Sequence, residues 1–238
     1  MVQLNIRQCR KVLGADAPIL VSDDRSSLSD AIQIICNREN VDYVCSNVTR
    51  GHFAGDVNCF LAGLVHAKVN GADACVKLSQ RLIVIDQTLP RTFERYLKDA
   101  DILIPGQPNA GMIRTDHRSF SAFKFLTDVV VMKVEAVAPE FIRDEYIHQV
   151  RTDTNPQATY VELLWSNLIE KRFKDRHKVI TELTDHQPFA PYRYHRRYQN
   201  SEADYAALFK ANGIEPDDIR LGGWKSILKH YRPAPQRL

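Results

Sequence analysis

Two carboxylates stand at the end of a short apolar run in Ile19-Leu-Val-Ser-Asp-Asp-Arg-Ser. If that run is a central strand, Ser22, Asp23, Asp24 and Arg25 lie at its carboxyl end, the edge at which open α/β sheets bind ligands. A carboxylate there can accept a base N–H or a ribose hydroxyl. The same residues also suit a plain strand exit followed by a helix cap, since Asp and Ser serve both ends. Farther along, Ala74-Cys-Val-Lys-Leu-Ser-Gln-Arg-Leu-Ile-Val sets Lys77, Ser79 and Arg81 between two apolar runs. Strand alternation puts all three on one side, where they can meet a phosphate. A cation about 4 Å from a phosphate oxygen contributes on the order of 4 kcal/mol at an effective dielectric near 20. The competing reading is a structural network in which Lys77 and Arg81 pair with Asp23, Asp24 or Asp56.

Between these two stretches lies Arg50-Gly-His-Phe-Ala-Gly-Asp-Val-Asn-Cys-Phe-Leu-Ala-Gly-Leu-Val-His-Ala. Its glycines precede a helix whose first turn is expected to hold Asp56 and Asn58. Gly55 would let a ligand approach closely. His52 is a candidate phosphate or sugar contact, or a plain loop histidine. His66 reads as structural.

The elements that must hold these residues alternate. Strand expectations are Ile19–Ser22, Tyr43–Ser46, Ala74–Val76, Leu82–Ile85, Ile102–Ile104 and Val129–Val134, several of them continuous and β-branched, as in doubly buried strands. Leu28, Ala31, Ile32, Ile35 and Cys36 recur at helical spacing after the cap candidates Ser26 and Ser27. Val57, Phe60, Leu61, Leu64 and Val65 do the same, up to the stop signal Asn70-Gly71. Pro139 opens another helix running through Tyr146, and Val161 to Phe173 forms an amphipathic one. Residues 105–119 read as a functional loop. Such an order predicts an α/β fold with a mainly parallel central sheet and helices on both faces. Residues 1–182 are expected to form the main domain. Residues 183–238 are expected to be an irregular C-terminal extension packed on it.

Charge and composition narrow the function classes. The chain has 238 residues, 44% hydrophobic and 26% charged, with a net charge of +3. That is ordinary for a globular protein and gives no global signal for nucleic acid. The segment Tyr192-Arg-Tyr-His-Arg-Arg-Tyr could stack on nucleic acid, touch an anionic lipid surface, fold over a ligand, or be a solvated basic segment with its tyrosines packed on the body, nucleic acid being the weakest of these at this net charge. The five cysteines show no metal-ligand spacing and read as reduced thiols of a cytoplasmic protein. No apolar run approaches a membrane span, and no secretory signal is evident.

The order of these stretches resembles the nucleotide-sugar half of GT-A fold glycosyltransferases. The residues that carry the resemblance are Val-Ser-Asp-Asp-x-Ser, the Gly-rich helix entry, Gly-Leu-x-x-Ala and Ala-Asp-Ala-Cys-Val-Lys-Leu-Ser-Gln-Arg. They cover roughly Ile19 to Ile85. The resemblance implies a GT-A-like, Rossmann-like fold, a nucleotide-diphosphate sugar donor and a glycan or lipid-linked acceptor, while the modest net charge leads us to expect no nucleic-acid partner. It implies that Ser22, Asp23, Asp24 and Arg25 face the nucleoside. His52, Asp56, Lys77, Ser79 and Arg81 would face the diphosphate or sugar.

Where that superfamily keeps a metal-binding Asp-x-Asp, this chain reads Ser79-Gln80-Arg81. Mg and Mn prefer carboxylate oxygens. A divalent metal is therefore not expected, and Lys77 with Arg81 would supply the positive charge. For the general base the resemblance implies Glu162, near the start of a helix and off its apolar stripe. Asp128, an acid heading a buried strand, is the second candidate, and Arg114 and His117 could contact an acceptor or a phosphate. The strand that normally precedes the first helix has only Val2–Ile6 to draw on, so a short first strand or a trimmed domain is expected. The rival readings are a nucleotidyltransferase of related fold and a non-catalytic transferase-like domain that binds a partner. A cytoplasmic location, with contact at the membrane surface allowed, completes the expectation.

Overall fold

The computed structural model describes residues 2–79, 82–84, 86–105, 129–152, 161–180 and 189–191, with 206, 207, 210 and 217. Arg81, Arg114, His117, Asp128 and the segment 192–198 lie outside them. Two compact units emerge. One comprises residues 1–17, 80–90 and 186–238, the other residues 18–79 and 91–185.

In the first unit, α1 (Val2–Leu13) packs on β4 (Leu82–Val84), which pairs antiparallel with β8 (Phe189–Pro191). The first segment is a helix, so the short first strand, one of the two expectations for it, does not form there. Val2, Leu4 and Ile6 alternate as a strand would, but Leu4, Gln8 and Val12 fall on one helical stripe and are buried. Arg10 and Lys11 sit in the last turn, where the helix dipole favours cations. Gly14, at φ 117°, ends the helix by donating its N–H to the Arg10 carbonyl at 3.1 Å.

The second unit carries the sheet that positions the candidate site. Strand β1 (Leu20–Asp23) pairs in parallel with β2 (Asp42–Cys45). A four-stranded sheet follows in the order β3 (Ala74–Leu78), β6 (Val129–Lys133), β5 (Ile102–Pro105), β7 (His177–Ile180). The α/β class is as expected, and the pairing is mixed. The β5/β7 pair is parallel, whereas β6 runs antiparallel to both β3 and β5.

The helices of this unit are α2 (Ser29–Glu39), α3 (His52–Val69), α5 (Pro139–Thr152) and α6 (Val161–Arg172). Helix α4 (Leu89–Leu97) crosses the unit boundary in sequence. Alternate residues Ile102, Ile104, Val130 and Met132 form one face of the core with Val57, Phe60 and Leu64 of α3, Ile142 of α5 and Trp165 of α6. Their neighbours Leu103, Val129 and Val131 are also buried, so these strands are covered on both faces. Phe60 and Trp165 meet edge to face at 4.9 Å.

The start of β5 is fixed by a buried charge. Asp101 accepts two hydrogen bonds from Arg176 (2.5 and 2.7 Å) and lies 3.8 Å from Lys133. That bidentate pair ties the entrances of β5 and β7 together.

Candidate functional site

The carboxyl edge of β1 and β2 is where two loops interlock. The first joins β1 to α2 and contains Asp24 to Leu28. The second joins β2 to α3 and contains Ser46 to Gly51. Four donors meet the Asp23 carboxylate: Ser26 N at 3.0 Å on Oδ1, and Ser29 Oγ at 2.6 Å, Tyr43 Oη at 3.1 Å and Ser26 Oγ at 3.2 Å on Oδ2. Burial alone would push this acid up. The bonds from Ser29, Ser26 and Tyr43 outweigh it and hold the carboxyl below its ordinary value. Asp23 thus organises the entry to α2. Ser26 and Ser27, expected as caps, leave the N-cap position to Leu28, which makes no side-chain cap bond. The carboxylate of Asp23 reaches forward instead and takes the local donors.

Asp24 does something different. Its Oδ2 accepts the backbone N–H groups of Arg50 (2.9 Å) and Gly51 (3.0 Å), just before α3 begins. A carboxylate at a helix N-terminus is favoured electrostatically. Its Oδ1 is buried and, among the described residues, has no hydrogen-bond partner. Helix α3 starts at His52, four residues before Asp56, so the expectation of Asp56 in the first turn is corrected. Gly55 lies inside the helix for a steric reason: a Cβ there would sit 2.9 Å from Asp24 Oδ2 and 3.0 Å from Asp24 Cγ. The close approach that Gly55 admits is that of Asp24.

Lys77 points from β3 under α3, with its side chain 7% exposed. Its ammonium is 3.9 Å from Asp56 Oδ1 and 5.1 Å from the Phe60 ring centre. A buried charge needs such compensation. The structural pairing of Lys77 with Asp56, one of the two readings open from sequence, is therefore present in the structure. Ser22 hydrogen-bonds the Cys59 thiol, which burial pushes above its ordinary value. The thiol of Cys75, on β3 near Gly63, is pushed up to about 12 by burial and by Cys59.

The remaining predicted residues are placed as follows. Arg25 is exposed and adopts φ 58°. His52 is the first residue of α3. Ser79 follows directly on β3 and is half-buried. Glu162 is in the first turn of α6, also half-buried. Arg81 and Asp128 fall outside the described residues.

The structure thus gathers Ser22, Asp23, Asp24 and Arg25 at one sheet edge. It sets Asp56 and Lys77 together as an ion pair at the same end of α3. Sequence reasoning missed Tyr43, which closes the Asp23 network, and Ser46 and Arg50, which shape the second loop. Arg50 opened the glycine-bearing stretch read from sequence, and that position was the only signal.

Ser79 and Lys77 are poor partners for a hard cation, because an ammonium repels a second positive charge and a lone hydroxyl is a weak ligand. Among the described residues no group of three or more His, Cys, Asp or Glu side chains could hold a metal ion. No helix among them is long and apolar enough to cross a membrane.

No protein-family model matches the chain, and no curated protein matches it. Among solved structures it is similar to a cytidylyltransferase from Leptospira borgpetersenii serovar Hardjo-bovis (strain JB197). The sequence identity is 11% and the TM-score 0.46, with 98% of this chain and 87% of that one covered. A likeness this distant carries no argument about chemistry.

Proposed function

We propose that the chain is a nucleotide-dependent transferase that moves a sugar from a nucleotide-diphosphate donor to a hydroxyl acceptor without a bound metal. The observation that supports this reading is the Asp24 carboxylate. One oxygen is fixed by two backbone N–H groups, while the other is buried without a partner among the described residues. Leaving a buried acceptor unsatisfied costs roughly 1–3 kcal/mol. A ligand N–H or ribose hydroxyl would recover that. Asp23, with its oxygens already engaged, would position the loop rather than touch the ligand.

Lys77 would supply positive charge toward the diphosphate, in the place of a metal ion; Arg81, the other cation read from sequence, lies outside the described residues. Asp56 would hold the ammonium until the ligand arrives. Glu162 at the start of α6, with Asp128 as the second candidate, would take the proton from the acceptor hydroxyl. A glycan or lipid-linked acceptor fits this chemistry.

The alternative is nucleotidyl transfer, which needs the same nucleotide edge and differs in the bond that breaks. Titration calorimetry with a panel of nucleoside diphosphates and sugar nucleotides, with EDTA present, tests the shared premise. Binding that persists in EDTA and weakens in Asp24→Asn supports the reading. Binding that EDTA abolishes and Mn or Mg restores would sink the metal-free version. Pyrophosphate release from a nucleoside triphosphate would select the nucleotidyltransferase. No binding to any nucleotide would leave a non-catalytic module.

A further inference from the structure

We propose that Arg25 and Arg50 form a clamp for a phosphate group at the carboxyl edge of β1 and β2. Both are exposed, and both guanidiniums are anchored on consecutive residues of one loop. Arg50 Nε donates to Ser46 Oγ at 2.8 Å, and an Nη of Arg25 donates to the carbonyl oxygen of Asn47. The two anchoring residues, Ser46 and Asn47, are neighbours in the chain, with Cα atoms about 3.8 Å apart.

The anchoring is built in several steps. Ser46 is 8% exposed, and its hydroxyl gives its own proton to the Val48 carbonyl at 2.7 Å. The oxygen is thereby left with lone pairs facing Arg50. Holding Arg50 by Nε leaves its two Nη groups as an outward fork, the geometry that matches phosphate oxygens. Thr49 Oγ1 donates to the Arg25 carbonyl at 3.4 Å and ties the two loops again.

The charges themselves ask for an anion. Two like charges are anchored on consecutive residues of one loop, yet among the described residues no carboxylate pairs with either guanidinium. Asp23 and Asp24 stand nearby, but their bonded oxygens are turned to other donors. The backbone amides of Arg50 and Gly51 are occupied by Asp24, so the clamp rests on the guanidiniums and not on the end of α3. The inference deepens the nucleotide reading and rests on it only for what the rest of the ligand is. The clamp would receive the phosphate tail beside a nucleoside held at Asp24.

The test is calorimetric titration of the full chain with inorganic pyrophosphate at low salt, then with a nucleoside and its mono- and diphosphate. Arg25→Gln and Arg50→Gln are each expected to weaken pyrophosphate binding about tenfold. Arg50→Lys, which keeps the charge and loses the fork, should fall between Arg50→Gln and the unsubstituted chain. Both positions are exposed, and circular dichroism checks that the variants fold. No pyrophosphate binding by the unsubstituted chain, or equal affinity in all variants, overturns the clamp. Arginine-dependent pyrophosphate binding with no preference for any nucleotide upholds the clamp and defeats the nucleotide reading instead.

Discussion

Replacing Gly55 by alanine isolates the contact that seats Asp24. A mid-helix Gly→Ala change ordinarily stabilises a helix by about 1 kcal/mol. Here the new Cβ would stand 2.9 Å from Asp24 Oδ2, 3.0 Å from Cγ and 3.3 Å from Cβ. The obstruction runs the length of the side chain, so Asp24 must leave its place. It then gives up the N–H groups of Arg50 and Gly51, at 2.9 and 3.0 Å. Hydrogen bonds to a charged group contribute roughly 1.5–3 kcal/mol each, and the lower figure applies at this half-exposed loop. Two losses near 1.5 kcal/mol against one gain near 1 leave a net destabilisation of about 2 kcal/mol. Gly63 in the same helix is the control. An added Cβ there meets only the Cys75 sulfur, at 3.4 Å, so Gly63→Ala should be neutral or stabilising. Urea unfolding of both variants, read at constant slope, measures the difference. A cycle with Asp24→Ala completes the argument: once that side chain is gone, Gly55→Ala should stabilise by about 1 kcal/mol. If Gly55→Ala is as stable as Gly63→Ala, the steric account of this site fails.

Three further outcomes follow from the same geometry. The carboxyl of Asp23 is held low by its donors, so its contribution is complete above the unfolded value near 4 and disappears as pH falls through the folded value. The stability gap between the chain and its Asp23→Asn variant should therefore be constant near neutrality and close on acidification, and a pH-independent gap would contradict it. Cys75, pushed up to about 12, and the half-buried Cys59, also raised, should resist alkylation at pH 8 until denaturant is added, as peptide mass mapping would reveal. Asp101→Ala should cost about 1–3 kcal/mol in chemical denaturation, because Arg176 and Lys133 lose the acceptor that joins β5 to its neighbours; an unchanged midpoint would show that anchor to be dispensable.

Much of the scaffold could be read from local pattern. Strands β1, β2, β3, β5 and β6 fall where short apolar runs end in turn residues, and α3 stops at Asn70-Gly71 as its composition requires. β7 was not anticipated, because His177–Ile180 carries only two apolar residues and becomes a strand by pairing with β5. For α1 a strand and a helix are hard to tell apart from sequence, because the buried helical stripe Leu4, Gln8 and Val12 has a polar middle member. Only packing against β4 separates the two.

The site divides along the same line. The sequence by itself determined that two carboxylates leave a strand together and that a lysine sits inside another. Local chain chemistry suffices for both statements. Which carboxylate is spent on the fold and which keeps an oxygen in reserve was decided only in three dimensions. Tyr43 and Ser29 converge on Asp23 across 20 and 6 positions of chain, and Arg50 and Gly51 reach Asp24 across 26 and 27. Hydrogen bonds of that span leave no periodicity to read. They depend on where two loops end once the parallel pair β1/β2 has brought their carboxyl edges side by side.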